Sequence, residues 1–195
     1  MSRGRQLSGH RPVCMKEVDD NQVVRQCLGG DKEAFSRLVE KYQGIVYNVA
    51  LRMVKDAGDA EDIAQAALVK AYEKLRSYNE RYRFYSWLYR ITINEALNHL
   101  DRQRRFSALD DRTEDPQQNP ELASEARDRS ERIQEALMEL NVDQRAVLVL
   151  RHFEERSYEE IGFILEIPVK RVKSRLFDAR QILRDVLVRK GMADA

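Results

Sequence analysis

Cations crowd one stretch near the end of the chain, where their types suit contact with nucleic-acid phosphates and guanine edges. From Pro168 to Lys190 there are eight Lys and Arg residues against two Asp, whereas the whole chain has a formal net charge of +1. A near-neutral protein whose positive charge is gathered in one segment has the charge distribution of a nucleic-acid binder. The side chains predicted to contact DNA in this segment are Lys170, Arg171, Lys173, Ser174, Arg175 and Arg180.

Two helices are predicted to position these cations. Ser157 and Glu160 have the Ser-x-x-Glu spacing of a capping box, which indicates a helix start. The segment 166–168 breaks that helix at a proline. Apolar residues then recur at three- and four-residue spacing, at Val169, Val172, Leu176, Ala179 and Leu183. The arrangement is typical of a helix-turn-helix, although this segment alone also fits an ordinary helical hairpin with a solvated basic face.

A second segment, Tyr78 to Arg105, is dense in aromatic residues and arginine. Aromatic rings beside guanidinium groups can stack unpaired bases and hold their backbone, at about 1 to 3 kcal/mol per stacked base. The residues that fall in a polar loop, and are the better candidates, are Arg81, Tyr82 and Arg83. The aromatic residues that fall at helical spacing, where a core position is more common, are Phe84, Trp87 and Tyr89.

The composition excludes several other classes of protein. The chain has 195 residues, 43% of them hydrophobic, which is enough for one domain or two small ones. Its apolar runs are far shorter than the roughly 20 residues that span a bilayer, and its first residues lack the apolar core of a signal peptide. We therefore expect a cytoplasmic protein with no direct membrane insertion. The usual enzyme motifs are missing, so we expect neither catalytic residues nor a cofactor.

Cysteine usage predicts neither disulfides nor a metal site. The two cysteines, Cys14 and Cys27, form no CxxC motif and no disulfide framework. His10 and Cys14 could supply two metal ligands, but no further ligand cluster lies near them in the sequence. We therefore expect no bound metal.

Hydrophobic periodicity predicts helices along most of the remaining chain. A first helix begins near Asp19 and ends at Gly29-Gly30. The later predicted helices span about residues 32–53, 60–75, 85–104, 133–140 and 141–153. The predicted N-caps are Asp31, Asp59 and either Asn141 or Asp143. The residues of helix 60–75 predicted to face the core are Ile63, Ala67, Val69 or the Lys70 stem, Tyr72 and Leu75.

The apolar pattern disappears between Phe106 and Ser130, where seven acidic residues outnumber three arginines. Such a segment is typical of a linker rather than of a core element. The predicted fold is therefore all-α, with two small helical domains joined by an acidic flexible linker. The predicted boundaries are a mobile arm (1–18), a first domain (19–105), the linker (106–130), a second domain (131–190) and a tail (191–195).

Three segments together resemble the extracytoplasmic-function (ECF) group of the bacterial sigma-70 family. They match family motifs in order and spacing and are DAEDIAQAALVKAY (59–72), FYSWLYRITIN (84–94) and SYEEIGFILEIPVKRVKSRL (157–176). The resemblance covers about residues 20–105 and 133–187. It implies that the first domain is sigma region 2, a helical bundle, and that the second is sigma region 4, with the helix-turn-helix. It also implies a protein that binds core RNA polymerase, recognises promoters and nucleates DNA melting.

The resemblance implies three sets of contact residues. Those on the clamp helices of the polymerase β′ subunit would be Asp59, Asp62, Gln65 and Lys70. Those that recognise and melt the minus-10 element, with a flipped base held by the loop, would be Asn79, Arg81, Tyr82, Arg83, Trp87, Arg90 and Asn94. Those at the minus-35 element would be Ser157, Lys170, Arg171, Lys173, Ser174, Arg175 and Arg180. The polymerase β flap and an anti-sigma factor, commonly membrane-bound, are further implied partners.

Three positions depart from the family pattern. Ala66 follows Gln65 where relatives usually carry glutamate, which removes one acidic contact to the polymerase. Glu166 stands at the turn where glycine is frequent, and a left-handed conformation there costs about 1 kcal/mol. Lys170-Arg171 replaces a common Gly-Thr pair, and the added cations should raise phosphate affinity.

Two other classes of function remain as alternatives. A helix-turn-helix regulator with a helical sensing domain explains the C-terminal half equally well, but not the arginine-aromatic segment. A helical adaptor with no DNA role leaves the basic helix unexplained. Transcription from a promoter by core polymerase separates a sigma factor from both.

Overall fold

The computed structural model describes residues 19–107 and 125–191, and side chains over 19–106 and 130–191. Within these ranges the chain is all-α, as predicted. Its helices are α1 (Asp20–Leu28), α2 (Ala34–Val54), α3 (Ala57–Glu73), α4 (Phe84–Ser107), α5 (Glu125–Met138), α6 (Val142–His152), α7 (Tyr158–Leu165) and α8 (Val169–Arg189). We call α1–α4 the N-terminal domain and α5–α8 the C-terminal domain. The predicted arm, most of the predicted linker and tail, and the residues His10 and Cys14 lie outside the described residues.

Short polar side chains cap α1, α3, α6 and α7. The predicted cap Asp31 is not the N-cap of α2, which is Glu33, although Asp31 Oδ1 accepts a hydrogen bond from the Ala34 N–H at 3.1 Å. Asn141 forms a capping box with Gln144, which resolves the choice between Asn141 and Asp143. The predicted cap Asp59 is wrong: Asp56 caps α3 by accepting from the Asp59 N–H at 2.8 Å. Asp59 therefore lies in the first helical turn, where its negative charge interacts favourably with the positive end of the helix dipole.

The core face of α3 differs from the prediction. Ile63, Ala67 and Leu75 are buried as predicted, but Tyr72 is 41% exposed, and Val69 is more exposed than the half-buried Lys70. A stripe of small residues takes their place on the buried face, formed by Ala60, Ala64, Ala67 and Ala71. These alanines let α3 lie close to its neighbours, whereas a larger ring at that position would overfill the contact.

Helices extend into both ends of the predicted linker. Helix α4 continues to Ser107, and α5 begins at Glu125, well before Ile133, where the apolar pattern returns. Residues 125–130 contain mainly good helix formers but no apolar stripe. Apolar periodicity therefore could not detect this turn of helix.

Two apolar cores hold the described residues together, and one of them crosses both domains. The first lies within the N-terminal domain and includes Leu38, Val46, Phe84, Trp87 and Leu88. The second joins Met53, Tyr89 and Ile93 of the N-terminal domain to Leu137, Leu148, Ile161 and Leu176 of the C-terminal domain. Each fully buried side chain of this size stabilises the fold by about 1.5 to 3 kcal/mol. The two domains are thus packed against each other in addition to being joined by the linker.

Two features are absent from the described residues. None of their helices has the length and apolar character needed to cross a bilayer. The same part of the chain contains no group of three or more His, Cys, Asp or Glu side chains placed to hold a metal ion.

Candidate nucleic-acid interface

The helix-turn-helix forms as predicted. Ser157 Oγ accepts from the Glu160 N–H at 3.1 Å, and the Glu160 carboxylate accepts from the Ser157 N–H at 2.9 Å, which completes the capping box. At the turn, Glu166 is left-handed, with φ 54° and ψ 40°. Gly162 allows this turn, because a Cβ there would lie 2.9 Å from the carbonyl oxygen of Ile167. The second helix therefore starts from a fixed position directly after the turn.

The start of α8 presents a basic surface. Its buried residues are Val172, Leu176 and Ala179. Arg180 is exposed further along the helix, and the predicted DNA contacts that are exposed near its start are Lys170, Arg171, Lys173 and Ser174. Because they lie within two turns of the N-terminus of α8, they form one compact patch, of the kind that enters a major groove.

Three other predicted minus-35 residues have partners within the C-terminal domain. Arg175 forms a 2.7 Å ion pair with Asp143, and its side chain is 25% exposed. Arg180 donates from Nε to Nε2 of His152 at 3.1 Å. Burial, together with Arg180, lowers the pKa of His152, which keeps its ring neutral and able to accept. Ser157 is engaged in the capping box, so these residues stabilise the helix-turn-helix.

The loop before α4 is held in a defined shape. The Tyr78 hydroxyl lies 2.7 Å from both the Asn21 Oδ1 and the Tyr82 carbonyl oxygen. Burial, followed by the charges of nearby acidic residues, raises the pKa of Tyr78 to about 12, so its hydroxyl remains a donor. Asn79 Oδ1 accepts from the Arg81 N–H at 3.0 Å. The loop thereby presents three exposed side chains, Arg81, Tyr82 and Arg83.

The predicted minus-10 residues of α4 do not form one surface with this loop. Trp87 is 8% exposed and packs on Tyr78 and Phe84, with ring centroids 5.5 and 5.7 Å away. Asn94 is exposed but lines a depression that it shares with Lys70. Arg90 is half-buried against the C-terminal domain, where it forms an ion pair with Glu166. Trp87 therefore contacts the loop through Tyr78, whereas Arg90 contacts the C-terminal domain through Glu166.

The exposed face of α3 carries the predicted polymerase contacts. Asp62 and Gln65 are exposed, while Lys70 forms a 2.5 Å ion pair with Glu95. Asp59 Oδ2 lies 3.1 Å from Nε2 of His99. Ala66 lines an open depression between α3 and α4, together with acidic and basic side chains, at Asp59, Asp62, Glu95, His99 and Arg102. The exposed apolar side chains on the same helix are Val69 and Tyr72.

Sequence reasoning missed the contacts between the domains. The hydroxyls of Tyr85 and Tyr89 donate to the carboxylates of Glu160 and Glu154. Burial, and then these hydrogen bonds, raise the pKa of both tyrosines, which therefore stay protonated. No local signal marks such pairs, because their members lie more than sixty positions apart in the chain.

The geometry defines a class of protein: a two-domain helical DNA-binding factor with a helix-turn-helix and a separate arginine-aromatic loop. Comparison with known protein families makes this assignment more specific. The sigma-70 region 2 family matches residues 38–106, and the sigma-70 region 4 family matches residues 130–183.

Relatives match over nearly the whole chain. The RNA polymerase sigma-H factor of Pseudomonas aeruginosa is 37% identical, over 89% of this chain and 96% of its own length. The ECF RNA polymerase sigma-E factor of Escherichia coli K12 is 36% identical, over 86% of this chain and 94% of its own length. This chain therefore belongs to the ECF group of the sigma-70 family, and it directs RNA polymerase to promoters, as the resemblance implied.

Solved structures share the fold in both domains. CnrH, in complex with the cytosolic domain of CnrY, superposes with a TM-score of 0.67 at 25% identity, covering 87% of this chain and 97% of CnrH. The sigma factor RpoE of Bartonella quintana, in complex with the anti-sigma factor NepR, has a TM-score of 0.66 at 25% identity, covering 78% of this chain and 96% of RpoE.

Proposed function

We propose that the loop of residues 79–83 receives an unstacked base of the minus-10 element. Its defined shape supports this proposal, because the Tyr78 contact with the Tyr82 carbonyl oxygen and the Asn79 contact with the Arg81 N–H fix the loop backbone before DNA arrives. Such preorganisation lowers the entropy cost of binding. Stacking of a base on Tyr82 contributes about 1 to 3 kcal/mol of binding free energy, which offsets much of the cost of unstacking that base from the DNA. Arg81 and Arg83 contact the adjoining phosphates.

Three residues of α4 take different roles in this proposal. Trp87 supports the loop from the core through its contact with Tyr78. Arg90 extends the basic surface from the loop along the helix. Asn94 lies further along α4, beside Lys70, and contacts the strand as it leaves the loop.

The minus-35 element is bound by the exposed start of α8. Lys170, Arg171, Lys173 and Ser174 enter the major groove, and Arg175 and Arg180 hold the helix-turn-helix through their contacts with Asp143 and His152. The two domains thereby provide two separate attachment points on the promoter.

Core polymerase binds the exposed face of α3. Asp62 and Gln65 provide polar contacts to the clamp helices of β′, and Val69 and Tyr72 provide apolar ones. The alanine at position 66 leaves a depression where family members usually carry a glutamate. The C-terminal domain contacts the β flap. The protein acts by binding and catalyses no reaction itself.

An anti-sigma factor controls the protein in this proposal. The support is the fold shared with the sigma factor RpoE of Bartonella quintana, which was solved in complex with the anti-sigma factor NepR. A membrane-bound partner follows from the family resemblance. The protein then works in the bacterial cytoplasm, where polymerase and promoter DNA are found.

Run-off transcription with purified core polymerase tests the function. Start sites mapped after overexpression supply the promoters. We expect a transcript that depends on adding the protein, and the absence of any transcript from the mapped promoters would contradict promoter-directing activity.

A charge-matched pair of variants tests the minus-35 surface. Lys173→Ala removes an exposed cation near the start of α8, and Arg184→Ala removes one further along the same helix. We expect Lys173→Ala to weaken duplex binding. The slope of the logarithm of the binding constant against the logarithm of the salt concentration should fall by about one, the value for one lost phosphate contact. Binding to core polymerase should be unchanged. Arg184→Ala should leave duplex binding within about twofold of the parent. Equal losses in both variants would contradict the assignment.

A further inference from the structure

The proposed base-stacking residue is already covered by an aromatic ring of the other domain. Tyr82 stacks on Phe163 of α7 with ring centroids 3.9 Å apart and planes 18° from parallel. The other aromatic pairs among the described residues are tilted or edge-on, with centroids at 5.1 Å or more. Aromatic side chains in proteins usually avoid a face-to-face sandwich. The Tyr82–Phe163 pair has instead the geometry of a base stacked on a ring.

A carboxylate lies next to this stack, on an arginine of the proposed minus-10 surface. Glu166 forms an ion pair with Arg90, whose guanidinium also lies 5.0 Å from the centroid of the Phe163 ring. Glu166 occupies the left-handed turn position, with φ 54°. A residue other than glycine there carries backbone strain. The strained position therefore brings a negative charge to the arginine that would otherwise meet a phosphate.

Further contacts hold the C-terminal domain against the N-terminal domain. The Tyr85 hydroxyl donates to Glu160, and the Arg156 guanidinium lies 4.4 Å from the centroid of the Tyr85 ring. Gln134 Nε2 donates to the Leu51 carbonyl oxygen at 2.8 Å, at the end of α2. Because an apolar core also joins the domains, the covered state is a packed arrangement rather than a single chance contact.

We infer that α7 is an intramolecular competitor of single-stranded promoter DNA. Phe163 takes the place of an unstacked base on Tyr82, and Glu166 takes the place of a phosphate on Arg90. The closed protein therefore binds the minus-10 strand more weakly than the open protein, and any ligand that binds the open form preferentially releases the site. This inference rests on the proposed role of Tyr82.

The consequence can be measured as an apparent affinity. When only a fraction of the protein is open, the apparent dissociation constant for single-stranded DNA rises by the reciprocal of that fraction. Loss of the Phe163 ring should raise the open population, and hence the apparent affinity, about fivefold. Loss of the Glu166 charge should raise the apparent affinity only about twofold, because the Glu166 side chain is largely exposed and an exposed ion pair contributes little free energy.

The experiment uses the full chain and a labelled single strand of about ten nucleotides, which carries the nontemplate minus-10 sequence of a promoter mapped as above. Fluorescence anisotropy gives the affinity, and small-angle X-ray scattering gives the radius of gyration. Phe163→Ala and Glu166→Gln should bind more tightly and scatter as more extended particles. Phe177→Ala is the control, because Phe177 is 63% exposed on α8 and belongs to neither apolar core. Circular dichroism checks that the variants keep their helical content.

The outcomes distinguish the competing role of α7 from the stacking role of Tyr82. Tighter binding by Phe163→Ala that is lost in Tyr82→Ala/Phe163→Ala supports the inference. Unchanged or weaker binding by both Phe163→Ala and Glu166→Gln would overturn the competitor, even where Tyr82→Ala weakens binding. If Tyr82→Ala changes nothing in the Phe163→Ala background, Tyr82 is not the stacking surface, and the proposed minus-10 assignment fails together with the inference.

Discussion

Arg145 is the residue whose removal should most clearly separate the stability of the two domains. Its side chain is 6% exposed and donates to four carbonyl oxygens, those of Leu137, Met138, Leu140 and Met53. Carbonyls near the C-terminal ends of helices lack helical partners, and the negative ends of α5 and α2 favour a cation there. Arg145 therefore satisfies the end of α5 and ties the end of α2 to the C-terminal domain.

The cost of Arg145→Ala follows from these contacts. Each buried acceptor left without a donor costs about 1 to 3 kcal/mol. The losses are not additive, because the carbonyls share one cavity that water can partly enter. We expect a loss of about 3 to 5 kcal/mol, which is a large part of a typical stability of about 5 to 15 kcal/mol. Arg145→Lys, which keeps the charge but loses the planar fork of donors, should lose less.

Urea unfolding followed by two probes measures this loss. Trp87 is the only tryptophan and is buried in the N-terminal domain, so its fluorescence reports that domain, while circular dichroism reports all helices. With a slope of about 2 kcal/mol per molar urea, a loss of 3 kcal/mol lowers the midpoint by about 1.5 M. We expect the midpoint measured by circular dichroism to fall by this amount and the midpoint measured by fluorescence to fall less, because three of the four carbonyls belong to the C-terminal domain.

Two results would contradict this role of Arg145. A loss below about 1 kcal/mol would show that water replaces Arg145 without penalty. A fluorescence midpoint that falls as far as the dichroism midpoint would show that the contact with Met53 dominates. Arg184→Ala, an exposed substitution in the same domain, should change stability by less than about 0.5 kcal/mol.

Two further predictions concern α7. Gly162→Ala places a Cβ 2.9 Å from the Ile167 carbonyl oxygen, so it should destabilise the helix-turn-helix by about 1 to 3 kcal/mol. It should also weaken binding to the minus-35 element. An affinity unchanged from that of the parent in a gel-shift assay would contradict this prediction. Burial opposes ionisation of Glu160, but hydrogen bonds from Tyr85 and Ser157 outweigh it and lower its pKa below 4.5. Because the folded pKa is the lower one, its contribution to stability is present above pH 4.5 and is lost as the pH falls below that value. Urea midpoints measured from pH 7 to pH 3 should show this loss in the parent and a weaker dependence in Glu160→Gln.

Local chemistry in the sequence was enough for several elements. The Ser157–Glu160 spacing predicted a helix start because a capping box needs only residues within one turn. The break at Glu166 and the apolar stripe of α8 were predicted for the same reason, and both are confirmed.

The face of α3 shows where that approach fails. Apolar residues occur on more than one side of this helix, and their size favoured Tyr72 as a core residue. The packed helices instead bury the alanine stripe, because closely approaching backbones leave no room for a ring. That choice depends on the distance between helices, which a single sequence does not state.

Most of the helices, the helix-turn-helix and the family could be predicted from the sequence alone, because these depend on spacings within a few turns and on motifs in a fixed order. Only the tertiary structure showed that the two domains share a core and that Phe163 and Glu166 cover Tyr82 and Arg90. Those pairs are separated by more than seventy positions in the chain. Their meeting is decided by how the domains pack, and local periodicity carries no information about it.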